Sequence, residues 1–271
     1  MDYRASRGNE MKPKIAVLYF PGNNCEHETV LACKKAGMDT DLLRWNTKED
    51  ISKYNGFIIP GGFTYEDRIR AGVISSKQPI MQRIKEEAAK GKVVLGICNG
   101  AQVLVEAGLI PGLKNDVEFA LAPNKNPFVS GYYCSWVKVK MSTKKKNAFN
   151  LNFSENEIFD IPIAHGEGRF TTLDKDAHDG IIKNDQAVFK YCDEKGDVSS
   201  KFPSNPNGAL LNIAGLCNKE GNVMALMPHP ERAFFNKQLP GFRGEFRQSE
   251  AFAAGSKIFL SIKEYIEAGN L

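Results

Sequence analysis

Cys98, His229 and Glu231 are the residues whose types and settings could act together chemically. Cys98 stands in Gly96-Ile97-Cys98-Asn99-Gly100, after the apolar run Val93-Val94-Leu95 and before helix-forming residues. That order reads as a strand, a sharp corner and a helix. Glycines beside a strained residue let the backbone turn tightly and push one side chain into a cleft, the layout that with serine makes a nucleophile elbow. With cysteine there, the chemistry is attack by a thiolate. A thiol needs a base to ionise at neutral pH, and the base needs a partner that fixes its ring. His229 and Glu231, in Met227-Pro228-His229-Pro230-Glu231-Arg232, fit those roles. In an extended segment residues two apart face one side, and Pro230 stiffens the backbone between them, so Glu231 is expected to accept from the ring. Two backbone N–H groups are offered to an oxyanion. One is that of Asn99, at the positive end of the helix after Cys98, and the other that of Gly62, in Pro60-Gly61-Gly62.

Each feature has a bland reading: an inert buried thiol for Cys98, a strand-end surface histidine for His229, a plain tight turn for Gly61-Gly62. Their joint occurrence argues against all three. His165, in Ala164-His165-Gly166-Glu167-Gly168, is open between a ligand contact and a hydrogen-bonded structural role. His27 and His178 read as surface residues or, for His27, a partner contact.

The elements that must position these residues follow from the pattern of apolar runs. Ile15–Phe20 reads as a buried strand, 26–35 as a helix ended by Gly37, and Asp41–Trp45 as a second strand. Gly56–Ile59 is a third strand, broken by Pro60-Gly61-Gly62 at the end where open parallel sheets bind ligands. Ile80, Ile84 and Ala88 recur at helical spacing before the Cys98 strand. After Gly108 the runs shorten and alternate, as in Ser135–Met141, which reads as antiparallel. Val223–Met227 forms a strand ending near His229, and a last helix carries Ile258, Phe259, Ile262, Tyr265 and Ile266 on one face. The fold class is therefore α/β: a doubly wound, mostly parallel sheet flanked by helices, with an additional antiparallel portion. If the Cys98 and His229 strands are neighbours, the two side chains meet above the carboxyl edge of the sheet as a Cys-His-Glu triad. Asp193 to Gly208 reads as a polar surface excursion and the one plausible linker.

With 271 residues, 42% of them apolar, the chain can bury a large core. Residues 1–11 read as a loose extension and 12–271 as a single domain. A net charge of +4 is mild, and the one basic run, Lys144-Lys145-Lys146, reads as a solvated loop, so no nucleic-acid role is expected. Six scattered cysteines without a C-x-x-C pair or metal-spaced histidines argue against zinc and for free thiols in a reducing cytoplasm. No apolar run approaches the roughly 20 residues that span a bilayer, so no membrane role is expected. There is no G-x-x-x-x-G-K-[ST] phosphate loop and no evident metal-carboxylate cluster for ATP.

The order Pro60-Gly61-Gly62, Gly96-Ile97-Cys98-Asn99-Gly100-Ala101-Gln102, His229-Pro230-Glu231 resembles the class I, triad-type glutamine amidotransferases. Within them, longer strings resemble the glutaminase-subunit family of phosphoribosylformylglycinamidine synthase: Pro60–Tyr65, Arg70-Ala71-Gly72, Pro162–Arg169, Asn205–Gly208 and Met227–Arg232. The resemblance runs from about Lys12 to the C-terminus. It implies hydrolysis of L-glutamine, with Cys98 as nucleophile, His229 as proton carrier, Glu231 as its support and the N–H groups of Gly62 and Asn99 as oxyanion donors. Gln102 and the loop around His165 and Gly166 would help hold the substrate's backbone charges. By the same resemblance the chain has no cofactor of its own. It passes ammonia to a large synthetase subunit, which uses ATP and magnesium to convert formylglycinamide ribonucleotide to the amidine, often with a small accessory subunit. The sequence departs from the family pattern at Glu66, where glycine is usual between the Tyr and the Asp, a departure that bears on the loop and not on the triad. Two competing readings are a hydrolase or stress protein with a similar cysteine elbow, which would lack His229-Pro230-Glu231, and a non-catalytic partner-binding subunit, which would not need the three residues together.

Overall fold

Residues 12–114 and 116–269 are described by the computed structural model, so the expected extension at 1–11 lies outside the described residues. The chain alternates strands and helices in its first half: β1 (Lys14–Tyr19), α1 (Glu26–Lys35), β2 (Asp39–Arg44), β3 (Gly56–Ile59), α2 (Val73–Ser76), α3 (Pro79–Ala89), β4 (Val93–Ile97) and α4 (Asn99–Glu106). Strands then dominate: β5 (Ala120–Ala122), β6 (Tyr133–Met141), β7 (Ile158–His165), β8 (Arg169–Thr171), α5 (Lys175–Lys183), β9 (Ala187–Cys192), β10 (Ile213–Cys217) and β11 (Val223–Leu226), followed by α6 (Phe246–Ser249) and α7 (Ser256–Glu267).

Nine strands form one sheet in the order β2-β1-β3-β4-β11-β10-β9-β6-β7, and β5 pairs with β8 separately. The first five are parallel neighbours. From β11 onward every pairing is antiparallel, so β10 and β6 run against the rest. The doubly wound sheet and its antiparallel portion are thus continuous. The inner parallel strands β1, β3, β4 and β11 read as near-unbroken apolar runs because both of their faces are buried, whereas the edge strand β2 has a polar start. Val93, Val94, Leu95 and Ile97 are all buried, and so is every residue of α4. On α7, Ile258, Phe259, Ile262 and Ile266 are buried, as the helical spacing implied.

In a flat sheet β7 would lie five strand spacings, roughly 24 Å, from β4. Instead the Cys98 Sγ stands 3.5 Å from the Ala164 carbonyl oxygen at the end of β7, and the His229 N–H donates to Pro162 O at 2.9 Å. The antiparallel half therefore curls back over the carboxyl edge. A cause is visible between β9 and β10, where the register shifts on both sides of Gly215. A bulge bends and twists the strand that carries it, and a glycine there leaves room for the side chains of the strands paired on either side. A Cβ on Gly215 would meet Leu226 Cδ1 at 2.9 Å and Phe189 Cδ2 at 3.2 Å.

The segment from Asp193 to Gly208 is a surface excursion over most of its length, as expected, but its end is held inside and is no loose linker. Its first part is open, with Val198 46% exposed, but Asn205 and Asn207 are buried. Asn205 Nδ2 donates to Ala209 O and Asn212 Oδ1, and Asn207 Nδ2 donates to Gly168 O at 2.9 Å. Asparagine amides imitate the backbone and satisfy loop carbonyls that have no ladder partner, so a polar stretch can serve as an internal prop.

Candidate active site

β4 and β11 are adjacent and parallel, in register from Val94↔Val223 to Ile97↔Leu226. Cys98 and His229 therefore leave the same edge of the sheet, as the strand ends implied. Cys98 sits at φ 50°, ψ −106°, an unusual conformation for a residue with a Cβ. The surrounding glycines make it attainable. A Cβ on Gly96 would stand 2.4 Å from Gly100 O, and one on Gly100 would stand 1.9 Å from Ile59 O, so neither corner nor helix could approach otherwise.

His229 Nδ1 lies 2.6 Å from Glu231 Oε1, and both side chains are buried. The pairing matches the expectation, but its local geometry differs. Only His229 is extended; Pro230–Ala233 is a 3-10 turn, which swings Glu231 back beneath the ring. Proline favours this because its φ is already that of the first helical residue and it needs no N–H partner. Burial works against a charged imidazole here, but the Glu231 carboxylate, then the neighbouring Cys98 and Cys25, hold its pKa well above the ordinary value. The arrangement thus favours a protonated ring facing sulfur. Its Nε2 is buried without a hydrogen-bond partner.

The Pro-Gly-Gly turn is tied to the elbow through Asn99. Its Oδ1 accepts from the Thr64 N–H at 3.1 Å, and its Nδ2 donates to Asp67 Oδ1 at 3.1 Å and Gln102 Oε1 at 2.8 Å. Gly62 faces Asn23 in an isolated bridge flanked by the bonds Asn24 N–H to Gly61 O and Phe63 N–H to Gly22 O. In such a non-hydrogen-bonded pair the Gly62 N–H points away from Asn23. The Asn99 N–H begins α4 and so has no partner within the helix.

Gly62, Cys98, Gln102, His165 and Gly166 line one cavity of about 150 Å³, joined by Asp67 and Glu167. Exposed Phe63 and Tyr132 stack at its wall with ring centroids 5.9 Å apart. Gln102 is committed at both ends of its amide, the nitrogen donating to Glu167 O at 2.7 Å, so it holds the loop that shapes the cavity. His165 is buried, its Nδ1 is 3.1 Å from Asn124 Oδ1, and burial followed by the charge of His229 pushes its pKa down to about 3. It is neutral there, with Nε2 free of partners. Larger depressions of 350 and 910 Å³ lie elsewhere and are lined by no thiol or imidazole. Chemistry, not size, selects the smaller one.

Two residues near this site escape a reading of the sequence. Asp67 follows Tyr65 and Glu66 through three successive left-handed conformations, and burial, then the Glu167 charge, raise its pKa to about 6. Cys25, just before α1, places its sulfur beside His229. Nothing in Cys25's neighbours announces this, because the contact joins residues about 200 positions apart. All six cysteines are free thiols, and Lys144, Lys145 and Lys146 are exposed, as expected. Among the described residues no helix is long and apolar enough to cross a membrane.

This cysteine elbow, on a parallel sheet with a buried His–Glu pair opposite, is the arrangement of an amidotransferase, and a family model for the CobB/CobQ-like glutamine amidotransferase domain matches residues 12–266. The chain belongs to that family. More narrowly, it is 46% identical to the phosphoribosylformylglycinamidine synthase subunit PurQ of Methanothrix thermoacetophila, over 94% of this chain and 98% of that one. It is 42% identical to the subunit of the same name from Pyrococcus horikoshii, over 94% and 99%. Among solved structures it is similar to a chain of PurLQS from Thermotoga maritima, with a TM-score of 0.71 and 32% identity over 94% of this chain and all of that one. A putative GMP synthase chain from Thermoplasma acidophilum shares the fold, with a TM-score of 0.54 at 17% identity over 95% of each chain.

Proposed function

We infer that the chain is the glutaminase subunit of a phosphoribosylformylglycinamidine synthase, releasing ammonia from L-glutamine for purine biosynthesis. The observation that carries the chemistry is the buried 2.6 Å His229–Glu231 pair set against Cys98 at the edge of a small cavity. Cys98 attacks the carboxamide carbon, and the N–H groups of Gly62 and Asn99 receive the oxyanion. His229 gives its proton to the departing ammonia, and water then enters through the same imidazole to release glutamate. Glu231 keeps the ring's orientation and stabilises its charge. The carboxylates of Asp67 and Glu167 among the cavity's lining residues suit the substrate's α-ammonium group, and Gln102, His165 and Gly166 help shape the same cavity.

The ammonia is used by a large synthetase subunit, with ATP and magnesium acting there. The similarity to a chain of PurLQS from Thermotoga maritima supports that partner, and we propose a small accessory subunit beside it. The setting that fits six free thiols is the cytoplasm.

A glutamine-analogue electrophile should label Cys98 alone, and Cys98→Ser should lower kcat for glutamate release by about 10⁴-fold or more, the scale at which triads lose their nucleophile. Mass spectrometry of the labelled peptide and a coupled glutamate assay read the two results. Labelling at another cysteine, or near-normal turnover by the variant, would sink the mechanism.

A further inference from the structure

The backbone N–H of Asn99 serves the oxyanion, but its side chain, 1% exposed, has a separate set of partners. Oδ1 accepts from the Thr64 N–H at 3.1 Å, and Nδ2 donates to Asp67 Oδ1 at 3.1 Å and to Gln102 Oε1 at 2.8 Å. Gln102 Nε2 in turn donates to Glu167 O at 2.7 Å. The Thr64 N–H can only donate and the Glu167 carbonyl can only accept, so this chain of bonds fixes which way both amides face. Asp67 and Glu167, the two carboxylate residues of the cavity lining, are thus both tied to Asn99, the first by its side chain and the second through Gln102. The contacts to Thr64 and Asp67 bracket Tyr65 and Glu66, which have φ of 52° and 58°. Backbone of that kind persists only where its surroundings over-determine it, and Asn99 supplies two of the bonds that do so.

We propose that Asn99 is a positioning residue that sets the length of the substrate, its side chain holding the Asp67 carboxylate at a fixed reach from the nucleophile beside it. The proposal rests on the glutaminase reading, in which Asp67 receives the α-ammonium group. Asn99 directly follows Cys98, so sulfur and carboxylate are joined through one residue rather than through two independent loops. The span between the reacting carbon and the ammonium is thereby held, and glutamine differs from asparagine in that span alone, by one methylene. Asparagine with its ammonium on Asp67 brings its carboxamide short of the sulfur. With its carboxamide at the sulfur, it leaves a buried carboxylate without its cation, which is costly. The amide is the group that serves both ends of the side chain's work. An aspartate here would keep the shape and the Thr64 bond but would set a like charge against Asp67.

The test compares wild-type protein, Asn99→Ala and Asn99→Asp in release of glutamate from glutamine and of aspartate from asparagine, with circular dichroism reporting the fold of each. Both variants keep the backbone N–H. In both, kcat/KM for glutamine should fall by about 100-fold, the scale of a small misplacement of substrate. For asparagine it should fall far less, so the preference for glutamine shrinks by about 10-fold or more, out of the 10–200-fold that one methylene is worth. The Asp67 carboxyl, followed by carbon-13 NMR without substrate, should titrate near 6 in the wild type, where Glu167 is its charged neighbour. It should titrate higher in both variants, since Asn99→Ala removes a donated hydrogen bond and Asn99→Asp adds a like charge. A residue that merely props the fold would move neither the preference nor the titration. Equal losses on the two amides, or an unmoved Asp67 titration, would overturn the proposal and leave the glutaminase reading standing. A wild-type protein that hydrolyses no glutamine would reject that reading, and the length role with it.

Discussion

A carboxyl group whose pKa is raised to about 6 is an ordinary consequence of burial, but Asp67 stands where a substrate cation is expected. Its neutral form is favoured in the folded protein, so below pH 4 it costs nothing. The cost of its charge grows as pH rises from about 4, its value in the unfolded chain, and is complete above about 6. Asp67→Asn should therefore raise stability more at pH 7 than at pH 4, read from denaturant midpoints. The charge that destabilises the fold is the one that would bind an ammonium. Thus kcat/KM for glutamine should rise as pH is raised through about 6, and that inflection should vanish in Asp67→Asn. A pH profile of the variant with the inflection intact would remove Asp67 from substrate binding. At this scale the triad is legible in the sequence because each member lies in a short string with its own local cause. Asp67 and Cys25 are not, because their importance comes only from what the fold puts beside them.

The elements are legible where a period runs uninterrupted. The first helix reads from 26 to 35, the bounds it has, since apolar positions and the glycine after it mark both ends. Strand β2 starts two residues before its apolar run suggests, because its polar start, Asp39-Thr40, hides pairing that β1 imposes. The loop after Gly62 gives only one sign. Glu66 stands where the family carries glycine, and the structure gives the reason: its φ is 58°, with Tyr65 at 52° and Asp67 at 51°. A left-handed residue with a side chain costs roughly 1–2 kcal/mol, partly offset because glycine loses more entropy on folding. Glu66 pairs with Arg68, but both are about three-quarters exposed, so the pair adds little. Glu66→Gly should accordingly raise stability by up to about 1 kcal/mol, measured by urea unfolding. A clear loss of stability would show that the loop's conformation is not held under strain.

At the scale of the whole molecule, the parallel half and its order of strands are within reach of the sequence, because alternating strands and helices admit few topologies. The curl is not. It depends on a bulge at Gly215, and a lone glycine in a strand does not say which way the sheet will bend. Yet the curl is what brings Ala164 O to Cys98 and Pro162 O to the His229 N–H. A site braced by several distant strands is open to adjustment by whatever docks on them. Addition of the synthetase partner with its nucleotide and substrate should therefore raise the rate of glutamate release several-fold, followed by coupled assay. A rate independent of the partner at all ratios would argue that the two halves are joined by ammonia alone.

The same curl has a bearing on the order in which the molecule becomes competent. The contact between Cys98 and Ala164 spans 66 residues, and that between Cys25 and Arg232 spans 207. Closing such long loops costs entropy that only the finished sheet repays, so these contacts form late in folding. An incompletely folded or newly emerging chain carries the cysteine without the imidazole that would exchange protons with it. Reactivity is withheld until the last strands are in place, and glutamine is spared from molecules that have no assembled site in which to use it.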